Sequence, residues 1–260
     1  MNKTALITGA SSGIGLEFSK IMAREGFDLV LVARRQDLLE NLKHELEAAH
    51  PIKATVIVMD LSMHENAEKL YDTVASSGTH IDVLVNNAGF GDYGDFIETD
   101  PQKNHDMIQV NIMALTALTR LFSPAMVARK QGGIINLASI VSFQPGPLMA
   151  VYYASKAYVL SFTEALATEL KNSGVKVTAL CPGPTETGFS EVTGLEKSVL
   201  FQRFQPVPAS KVAEFGYQAW KKGKIVAIYG LPNKSLVFGE RFLPRNVTSN
   251  LMKWMQKKAV

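Results

Sequence analysis

A tyrosine and a lysine four residues apart, Tyr152 and Lys156, form the most chemically suggestive pair in the sequence. Positions i and i+4 of an α-helix lie on one face, so the lysine ammonium can approach the phenol. A free phenol titrates near pH ~10, and a nearby positive charge lowers that pKa, which favours proton transfer at neutral pH. The spacing alone is weak support, because many solvated helix faces carry such a pair by chance.

A glycine-rich turn near the N-terminus supplies a context for this pair. Residues 3–8 are typical of a short buried strand, and residues 16–25 carry apolar side chains at helical spacing. Between them, Gly9 permits a tight turn, Gly13 lets backbone approach a ligand, and Gly15 lets helix and strand pack closely. The helix N-terminus would face the phosphates of a dinucleotide. An ordinary glycine-rich loop is the alternative.

Composition indicates one large core. The chain has 260 residues, 47% of them hydrophobic, and a formal net charge of +3 that is dispersed, which argues against nucleic-acid binding. The single cysteine, Cys181, lies in an apolar strand and is predicted to be a core residue. We expect no metal site, no signal peptide and no membrane span, and therefore a cytoplasmic protein.

Apolar stretches rich in β-branched residues alternate with amphipathic stretches along the chain. Seven strands are predicted: residues 3–8, 28–33, 53–59, 81–86, 133–139, 175–181 and 224–229. Six helices are predicted: residues 13–25, 35–49, 64–75, 101–130, 151–172 and 210–222. The pattern predicts an α/β fold of one domain over residues 1–260, a Rossmann-type, doubly wound, seven-stranded parallel sheet with helices on both faces. Ligands of such sheets bind at the carboxyl ends of the strands.

The end of the second strand bears on the choice of cofactor. An acidic residue there would bind the ribose 2′-hydroxyl of NAD, and this chain has Ala33, Arg34 and Arg35 instead. Two guanidinium groups suit a 2′-phosphate, so NADP(H) is favoured over NAD(H). Solvated surface arginines are the alternative.

Later strand ends carry further candidates. Asp60 and Leu61 either contact adenine or form a helix N-cap region. Asn87, Ala88 and Gly89 offer small residues and backbone donors where a flat cofactor passes close to the chain. Two more groups lie at the same predicted rim: Ser139, and the segment from Pro182 and Gly183 to Thr187.

Together these motifs resemble the classical short-chain dehydrogenase/reductase family over nearly the whole chain. The matching residues are Thr8 to Gly15, Asn86 to Gly89, Asn111, Ser139, Tyr152 to Lys156, and Pro182-Gly183 through Thr187. The resemblance implies four catalytic residues. Tyr152 would exchange a proton with the substrate oxygen, Ser139 would hydrogen-bond that oxygen, Lys156 would lower the Tyr152 pKa and hold the nicotinamide ribose, and Asn111 would position a relay water.

The resemblance also implies a set of cofactor-binding residues and no metal. They are Gly9, Ser11, Ser12, Gly13, Ile14, Gly15, Arg34, Arg35, Asp60, Leu61, Asn87, Ala88, Gly89, Tyr152, Lys156, Pro182, Gly183 and Thr187. Ser12 departs from relatives that carry Lys or Arg in the glycine loop, so phosphate specificity would rest on Arg34 and on Arg35. The adjacent Tyr153 is expected to pack or to line the pocket.

The substrate pocket is expected to be apolar. Its walls are predicted from residues 90–93 and 141–149 and from a lid over residues 188–208, whose apolar members are Phe189, Val192, Leu195, Leu200, Phe201 and Phe204. A hydrophobic ketone, aldehyde or alcohol would suit such a lid. Equally, these side chains could simply pack the lid onto the body.

The last thirty residues, 231–260, form a predicted helical extension. Residues 245–258 are typical of an amphipathic helix with Val247, Leu251, Trp254 and Met255 on one side and Lys253, Lys257 and Lys258 elsewhere. The helix either docks on the body or rests on a membrane surface. If it docks beside the last strand, it would block the tetramer contact that many members of the resembled family make there, which favours a homodimer through the fourth and fifth helices.

Three functions are compatible with this sequence. The first is an NADP(H)-dependent oxidoreductase acting on a carbonyl or alcohol, supported by all four implied catalytic residues. The second is a catalytically silent NADP-binding regulator or scaffold, which would be expected to have lost the tyrosine or the lysine. The third is an isomerase, epimerase or dehydratase, which more often needs a larger substrate domain.

Overall fold

Seven parallel strands form one central sheet in the computed structural model, which describes residues 2–189 and 206–256. The strands are β1 (Thr4–Thr8), β2 (Asp28–Ala33), β3 (Ala54–Val58), β4 (Val83–Asn86), β5 (Gly132–Leu137), β6 (Val175–Cys181) and β9 (Val226–Ile228). Their order across the sheet is β3-β2-β1-β4-β5-β6-β9, and each neighbouring pair is parallel. The order reverses between β1 and β4, where a ligand crevice is expected. The predicted sheet is confirmed.

Helices cover both faces of the sheet. They are α1 (Gly13–Arg24), α2 (Gln36–Ala49), α3 (Asn66–Ser76), α4 (Pro101–Ile108), α5 (Leu115–Ala128), α6 (Ala150–Glu169), α7 (Ala209–Lys221), α8 (Leu231–Glu240) and α9 (Arg245–Gln256). The core on one face is built with α1, α2 and α7, and that on the other with α3, α5 and α6. Since both faces are covered, the central strands are largely apolar, and β1 is buried at all five positions.

Two features interrupt the predicted pattern. The predicted helix over residues 101–130 contains a π-helical segment, Gln109–Ala114, between α4 and α5. Two short strands, β7 (Thr185–Glu186) and β8 (Val207–Pro208), pair in parallel and bracket the predicted lid. Most of that lid lies outside the described residues, including Val192, Leu195, Leu200, Phe201 and Phe204.

The α4–α5 region also bears on the expectation that no helix spans a membrane. Within the described residues, one helical run, Pro101–Ala128, is long and apolar enough to do so by length and composition alone. Core helices pass the same test, and 44% of its most apolar window is buried inside the protein. The run is therefore weak support for a span.

Helix α9 packs on the body with a different face from the one that the sequence predicts. Its buried residues are Thr248, Met252, Met255 and Gln256, whereas Val247, Leu251 and Trp254 of the predicted apolar stripe are exposed. Of that stripe only Met255 is buried. Amphipathic spacing identifies an apolar face but does not say what covers it, so the predicted docking face is wrong.

Helix α8 ends in a carboxyl group that points toward the body. The Glu240 carboxyl lies against the buried amide of Gln144, and partial burial raises the pKa of this carboxyl to about 7. A protonated carboxyl is therefore favoured in the folded protein across a pH range in which an unfolded chain has already lost that proton.

This shift predicts a pH-dependent loss of stability that Glu240→Gln removes. Because the folded-state pKa is raised, the free energy of unfolding is highest below the unfolded pKa of 4.5, where Glu240 is protonated in both states. It declines as the pH rises toward about 7, because the folded state then has to lose a proton from a partly buried carboxyl. The melting temperature of Glu240→Gln minus that of the wild type should therefore increase between pH 5 and pH 8. The exposed Glu68→Gln serves as a control, and a constant difference for Glu240→Gln would contradict the burial of this carboxyl.

Candidate active site

The glycine-rich turn between β1 and α1 has the geometry of a phosphate cradle. Gly9 has a φ of 67°, a conformation that favours glycine. A Cβ atom on Gly15 would lie 2.3 Å from the Gly9 carbonyl oxygen, so only glycine fits there. Ser12 precedes α1 without a side-chain cap hydrogen bond, which leaves the helix N-terminus open to an anion.

Asn87 ties this turn to the end of β4. Its side-chain amide donates to the carbonyl oxygens of Thr8, at 2.9 Å, and Gly9, at 3.2 Å. The Thr8 hydroxyl in turn accepts from the backbone amides of Asn87 and Ala88. Asn87 therefore holds the cradle in place through its side-chain nitrogen, which is committed to protein rather than to a ligand.

The two arginines after β2 point in different directions. Arg35 donates to the Ser11 hydroxyl at 3.1 Å, which brings a guanidinium group to the glycine-rich turn. Arg34 is largely exposed and lies 3.7 Å from the carboxylate of Asp60. Asp60 also accepts from the backbone amide of Ser62, which forms a local turn, but the N-cap of α3 is Glu65, so the predicted N-cap role of Asp60 is wrong.

Leu61 and Ile14, which the family resemblance places among the cofactor-binding residues, belong to the apolar packing of the sheet. Leu61 is buried in the core on the α3 side, and Ile14 packs against the core on the α1 side. Their side chains therefore pack in the protein interior and offer no polar groups to a ligand.

Ser139 and Tyr152 meet at the carboxyl end of β5. Ser139 caps the short 3-10 turn Ile140–Phe143, and its hydroxyl lies near the Tyr152 phenol. Burial raises the pKa of that phenol, and the nearby Ser139 hydroxyl opposes the rise. The pKa of Tyr152 is therefore raised in the folded protein, whereas the sequence predicted that Lys156 would lower it. Removal of the phenol from water has the largest effect.

Lys156 is buried directly behind this pair. Its ammonium donates to the Leu137 carbonyl oxygen at 2.7 Å and lies 5.9 Å from the centroid of the Tyr152 ring. Burial lowers the pKa of Lys156 to about 8, so the side chain is mainly charged at neutral pH. Gly89 leaves room for it, since a Cβ there would approach the lysine nitrogen to 3.4 Å.

The π-helical segment positions Asn111. Its amide oxygen accepts from the Phe90 backbone amide at 3.2 Å, and its amide nitrogen donates to the Phe90 carbonyl oxygen and the Ser155 hydroxyl, each at 3.0 Å. Ser155 donates to the Tyr152 carbonyl oxygen. Asn111 therefore joins the β4 loop to the helix that carries Tyr152 and Lys156.

The segment after β6 completes the rim. The Pro182 carbonyl oxygen accepts from the Ile140 amide at 3.0 Å and from the Ser139 hydroxyl at 3.5 Å. Thr187 lies against the glycine-rich turn, because a Cβ on Gly13 would be 2.8 Å from its methyl group. Gly183 is similarly close to Asn233 of α8. These contacts bring the segment to the same crevice as the cradle.

An apolar cluster surrounds the Tyr152 ring. Tyr153 and Met149 are buried at its centre, and Tyr93, Val141, Tyr152 and Phe189 pack against them. The rings of Tyr152 and Phe189 have centroids 5.0 Å apart. Phe189, the described end of the predicted lid, therefore reaches the reactive phenol, and the pocket wall beside that phenol is apolar.

Sequence reasoning missed a contact from the C-terminal helix. The Gln256 side-chain amide of α9 donates to the Tyr153 hydroxyl, and the Gln256 carbonyl oxygen accepts from the Tyr93 hydroxyl at 2.9 Å. Tyr153 and Gln256 are 103 residues apart, and no short motif connects the two positions. The predicted packing role of Tyr153 is consistent with this burial.

The arrangement suits a dinucleotide across the reversal point of the sheet. The positive backbone end of α1 and the Arg35 guanidinium suit phosphates, and Gly89 brings the chain after β4 close to Asn111 and Lys156. A phenol, a hydroxyl and an ammonium then face one reaction centre, which is a set of groups for moving a proton to or from a substrate oxygen.

Comparison with known proteins agrees with this geometry. The family model described as short chain dehydrogenase matches residues 3–197. A very-long-chain 3-oxoacyl-CoA reductase of Pyrenophora tritici-repentis is 36% identical over 192 residues, 72% of this chain and 56% of the relative. The chain thus spans about half the length of that curated relative.

Solved structures resemble the whole described fold. A short-chain dehydrogenase from Sphingobium yanoikuyae in complex with NADPH has a TM-score of 0.81 at 29% identity, covering 92% of this chain and 93% of the other. A short-chain dehydrogenase/reductase from Burkholderia phymatum in complex with NAD has a TM-score of 0.80 at 27% identity, covering 91% and 92%. This chain belongs to the short-chain dehydrogenase/reductase family.

Proposed function

We propose that the protein is an NADP(H)-dependent oxidoreductase that interconverts a hydrophobic carbonyl compound and its alcohol. The observation that carries the proposal is the approach of the Ser139 hydroxyl to the Tyr152 phenol beside the buried ammonium of Lys156. The nicotinamide group, when bound, supplies or accepts the hydride. The two hydroxyls would bind the substrate oxygen, on which negative charge grows during reduction, and the Tyr152 phenol would donate its proton there.

Lys156 and Asn111 support this proton transfer. The charge of Lys156 stabilises a phenolate once Tyr152 has given up its proton, which offsets part of the burial penalty. Asn111 fixes the register of the helix through Ser155 and the Tyr152 carbonyl oxygen. Whether it also holds a relay water, as the family resemblance implies, stays a prediction.

The cofactor preference rests on the two arginines. No carboxylate follows β2 at the position where a ribose 2′-hydroxyl would need one, and Arg34 and Arg35 stand there instead. The ion pair of Arg34 with Asp60 is exposed and long, so a 2′-phosphate could compete for the guanidinium group at small cost. NADPH-bound and NAD-bound structures both occur among the similar proteins, so this preference is a property of these residues rather than of the fold.

For the substrate we favour a ketone that carries a long apolar chain. Met149, Val141 and Phe189 form an apolar wall next to Tyr152. The fungal relative acts, by its name, on very-long-chain 3-oxoacyl-CoA, so a 3-oxoacyl group is the first class to examine. The rate of reduction at low substrate concentration should rise with acyl chain length because each buried methylene adds binding energy.

The central experiment compares two adjacent tyrosines. Tyr152→Phe should lower kcat for NADPH-dependent reduction of a 3-oxoacyl substrate by about a thousandfold, as expected on removal of a general acid, with NADPH binding retained. Tyr153→Phe is the matched control and should stay within about tenfold of the wild type, since its hydroxyl binds Gln256. Cofactor binding without any turnover by the wild type would favour a catalytically silent regulator instead.

The pKa of Lys156 predicts a pH dependence. The ammonium is charged below its pKa of about 8 and neutral above it, so kcat for reduction should fall as the pH rises through about 8. Lys156→Arg should show a lower maximal rate, because the larger head fits poorly, but no decline between pH 7 and pH 9. A wild-type profile without a decline in this range would contradict the assigned role of the charge.

Cofactor selectivity tests the arginines. The wild type should prefer NADPH over NADH by at least about tenfold in kcat/KM, and Arg34→Ala should reduce that preference, mainly through NADPH. Arg35→Ala should act in the same direction, because Arg35 lies at the glycine-rich turn. Arg120→Ala, an exposed arginine on α5, is the control. Equal use of NADH and NADPH by the wild type would overturn the assignment.

A further inference from the structure

We propose that the outer face of the two C-terminal helices docks on the surface of an anionic lipid bilayer. This face, the C-terminal patch, consists of exposed apolar side chains on α8, on the following turn and on α9: Leu231, Phe238, Phe242, Leu243, Val247 and Leu251. Leu231 is 76% exposed, Phe238 61% and Phe242 72%. Large apolar side chains gathered at such exposure indicate an interaction surface.

The apolar residues of the patch are neighbours rather than isolated positions. Leu231 and Phe238 are seven residues apart and lie on one side of α8, and the Phe238 ring contacts the ring of Phe242 in the following turn, with centroids 5.3 Å apart. Residues 241–247 are exposed without interruption. The turn between the helices is therefore open to solvent and carries Phe242 and Leu243.

The inner face of α9 is already committed to the body. Met252, Met255 and Gln256 are buried there, and Gln256 contacts the hydroxyls of Tyr153 and Tyr93. A rotation that buried Val247 and Leu251 would break those contacts. The outer face therefore has to be covered by something other than the core beneath α9.

The charges around the patch select the partner. Lys234, Arg241, Arg245 and Lys253 are all exposed. The segment 231–256 contains one acidic residue, Glu240, and its carboxyl is turned inward against Gln144. Arg241 and Arg245 thus flank the apolar turn with no exposed carboxylate in the same segment. Apolar groups that enter the acyl region, ringed by cations that meet lipid phosphates, are the pattern of an interfacial membrane contact.

A second copy of the chain fits this surface less well. A two-fold contact places the same patch on both sides, so four cations of one copy would face four of the other. Within the described part of the segment no exposed carboxylate is present to pair with them. An anionic bilayer offers the opposite charge, and the expected cytoplasmic location would present its anionic leaflet.

Docking would place the proposed reaction next to the bilayer, a consequence that rests on the proposed function. Through Gln256, the inner face of α9 touches Tyr153, the neighbour of the reactive Tyr152. An apolar carbonyl substrate partitions into lipid. A protein that is docked on the bilayer through the C-terminal patch would have its pocket wall close to that substrate.

Vesicle binding by the full chain tests the proposal. The protein should co-sediment with vesicles of equal parts phosphatidylglycerol and phosphatidylcholine, and at least about tenfold more weakly with phosphatidylcholine alone or in high salt. The chain has two tryptophans, of which Trp220 is buried and Trp254 on α9 is half-exposed. Trp254 emission should shift to shorter wavelength on the anionic vesicles, and Trp254→Phe should abolish the shift.

Two double variants separate the apolar and the charged contributions. Phe242→Ser with Leu243→Ser, and Arg241→Ala with Arg245→Ala, should each weaken vesicle binding by about tenfold or more. The control, Met63→Ser with Ile225→Ser, removes two exposed apolar side chains outside the patch and should bind as the wild type does. All three should keep the wild-type melting temperature, because the changed side chains are exposed.

Unchanged vesicle binding in both patch variants would overturn the proposal, as would equal binding to neutral and anionic vesicles. Absence of vesicle binding together with a fall in molar mass by light scattering on Phe242→Ser with Leu243→Ser would assign the patch to a second copy instead. NADPH oxidation with a short, water-soluble 3-oxo ester is measured without vesicles, where patch variants should match the wild type. If the wild type does not oxidise NADPH in this assay, the proposed function is wrong, and the result of the vesicle experiment is unaffected.

Discussion

The buried ammonium of Lys156 is the constraint on which the site depends. A charge removed from water is costly unless it is hydrogen-bonded, and the Leu137 carbonyl oxygen accepts from it at 2.7 Å. This carbonyl is available because β5 ends at Leu137, so its last carbonyl groups are not all used within the sheet. A side-chain amide contact of 2.9 Å between Asn86 and Asn136 fixes that strand end to β4. The sheet therefore determines where the lysine charge lies, and that charge determines where a phenolate can be stabilised.

A second constraint, the set of hydrogen bonds made by Asn111, fixes the position of α6, the helix that carries Tyr152 and Lys156. An α-helix of regular pitch over residues 101–128 would place Asn111 by local geometry alone, and the π-helical segment shifts it. In its observed position Asn111 satisfies both backbone groups of Phe90 and reaches Ser155, which binds the Tyr152 carbonyl oxygen. An irregularity in one helix thereby becomes a restraint on another, which suits a site whose atoms have to be held within a fraction of an ångström.

The sequence predicted those features that are encoded locally. The bounds of β2 and β6 were predicted to the residue because strands apolar on both faces are distinct from their flanking turns. The glycine-rich turn and the Tyr152–Lys156 pair were likewise readable from short spacings. The π-helical segment has no sequence signal. The carbonyl oxygen that binds Lys156 belongs to Leu137, whose apolar side chain gives no sign of a role in the site. The face on which α9 packs depends on contacts with residues more than a hundred positions away, such as Tyr153, and helical periodicity contains no such information.

That distant contact also bears on which of two adjacent phenols can react. Neighbouring residues on a helix diverge by about 100°, so Tyr152 and Tyr153 cannot both face the crevice. The Tyr153 ring packs so closely on Gly146 that a Cβ there would lie 2.1 Å from it, and its hydroxyl is bound by Gln256. Tyr152 is left to meet Ser139. The C-terminal helix thus acts on the site through its inner face by fixing the inactive neighbour, and whatever covers its outer face stabilises the same contact.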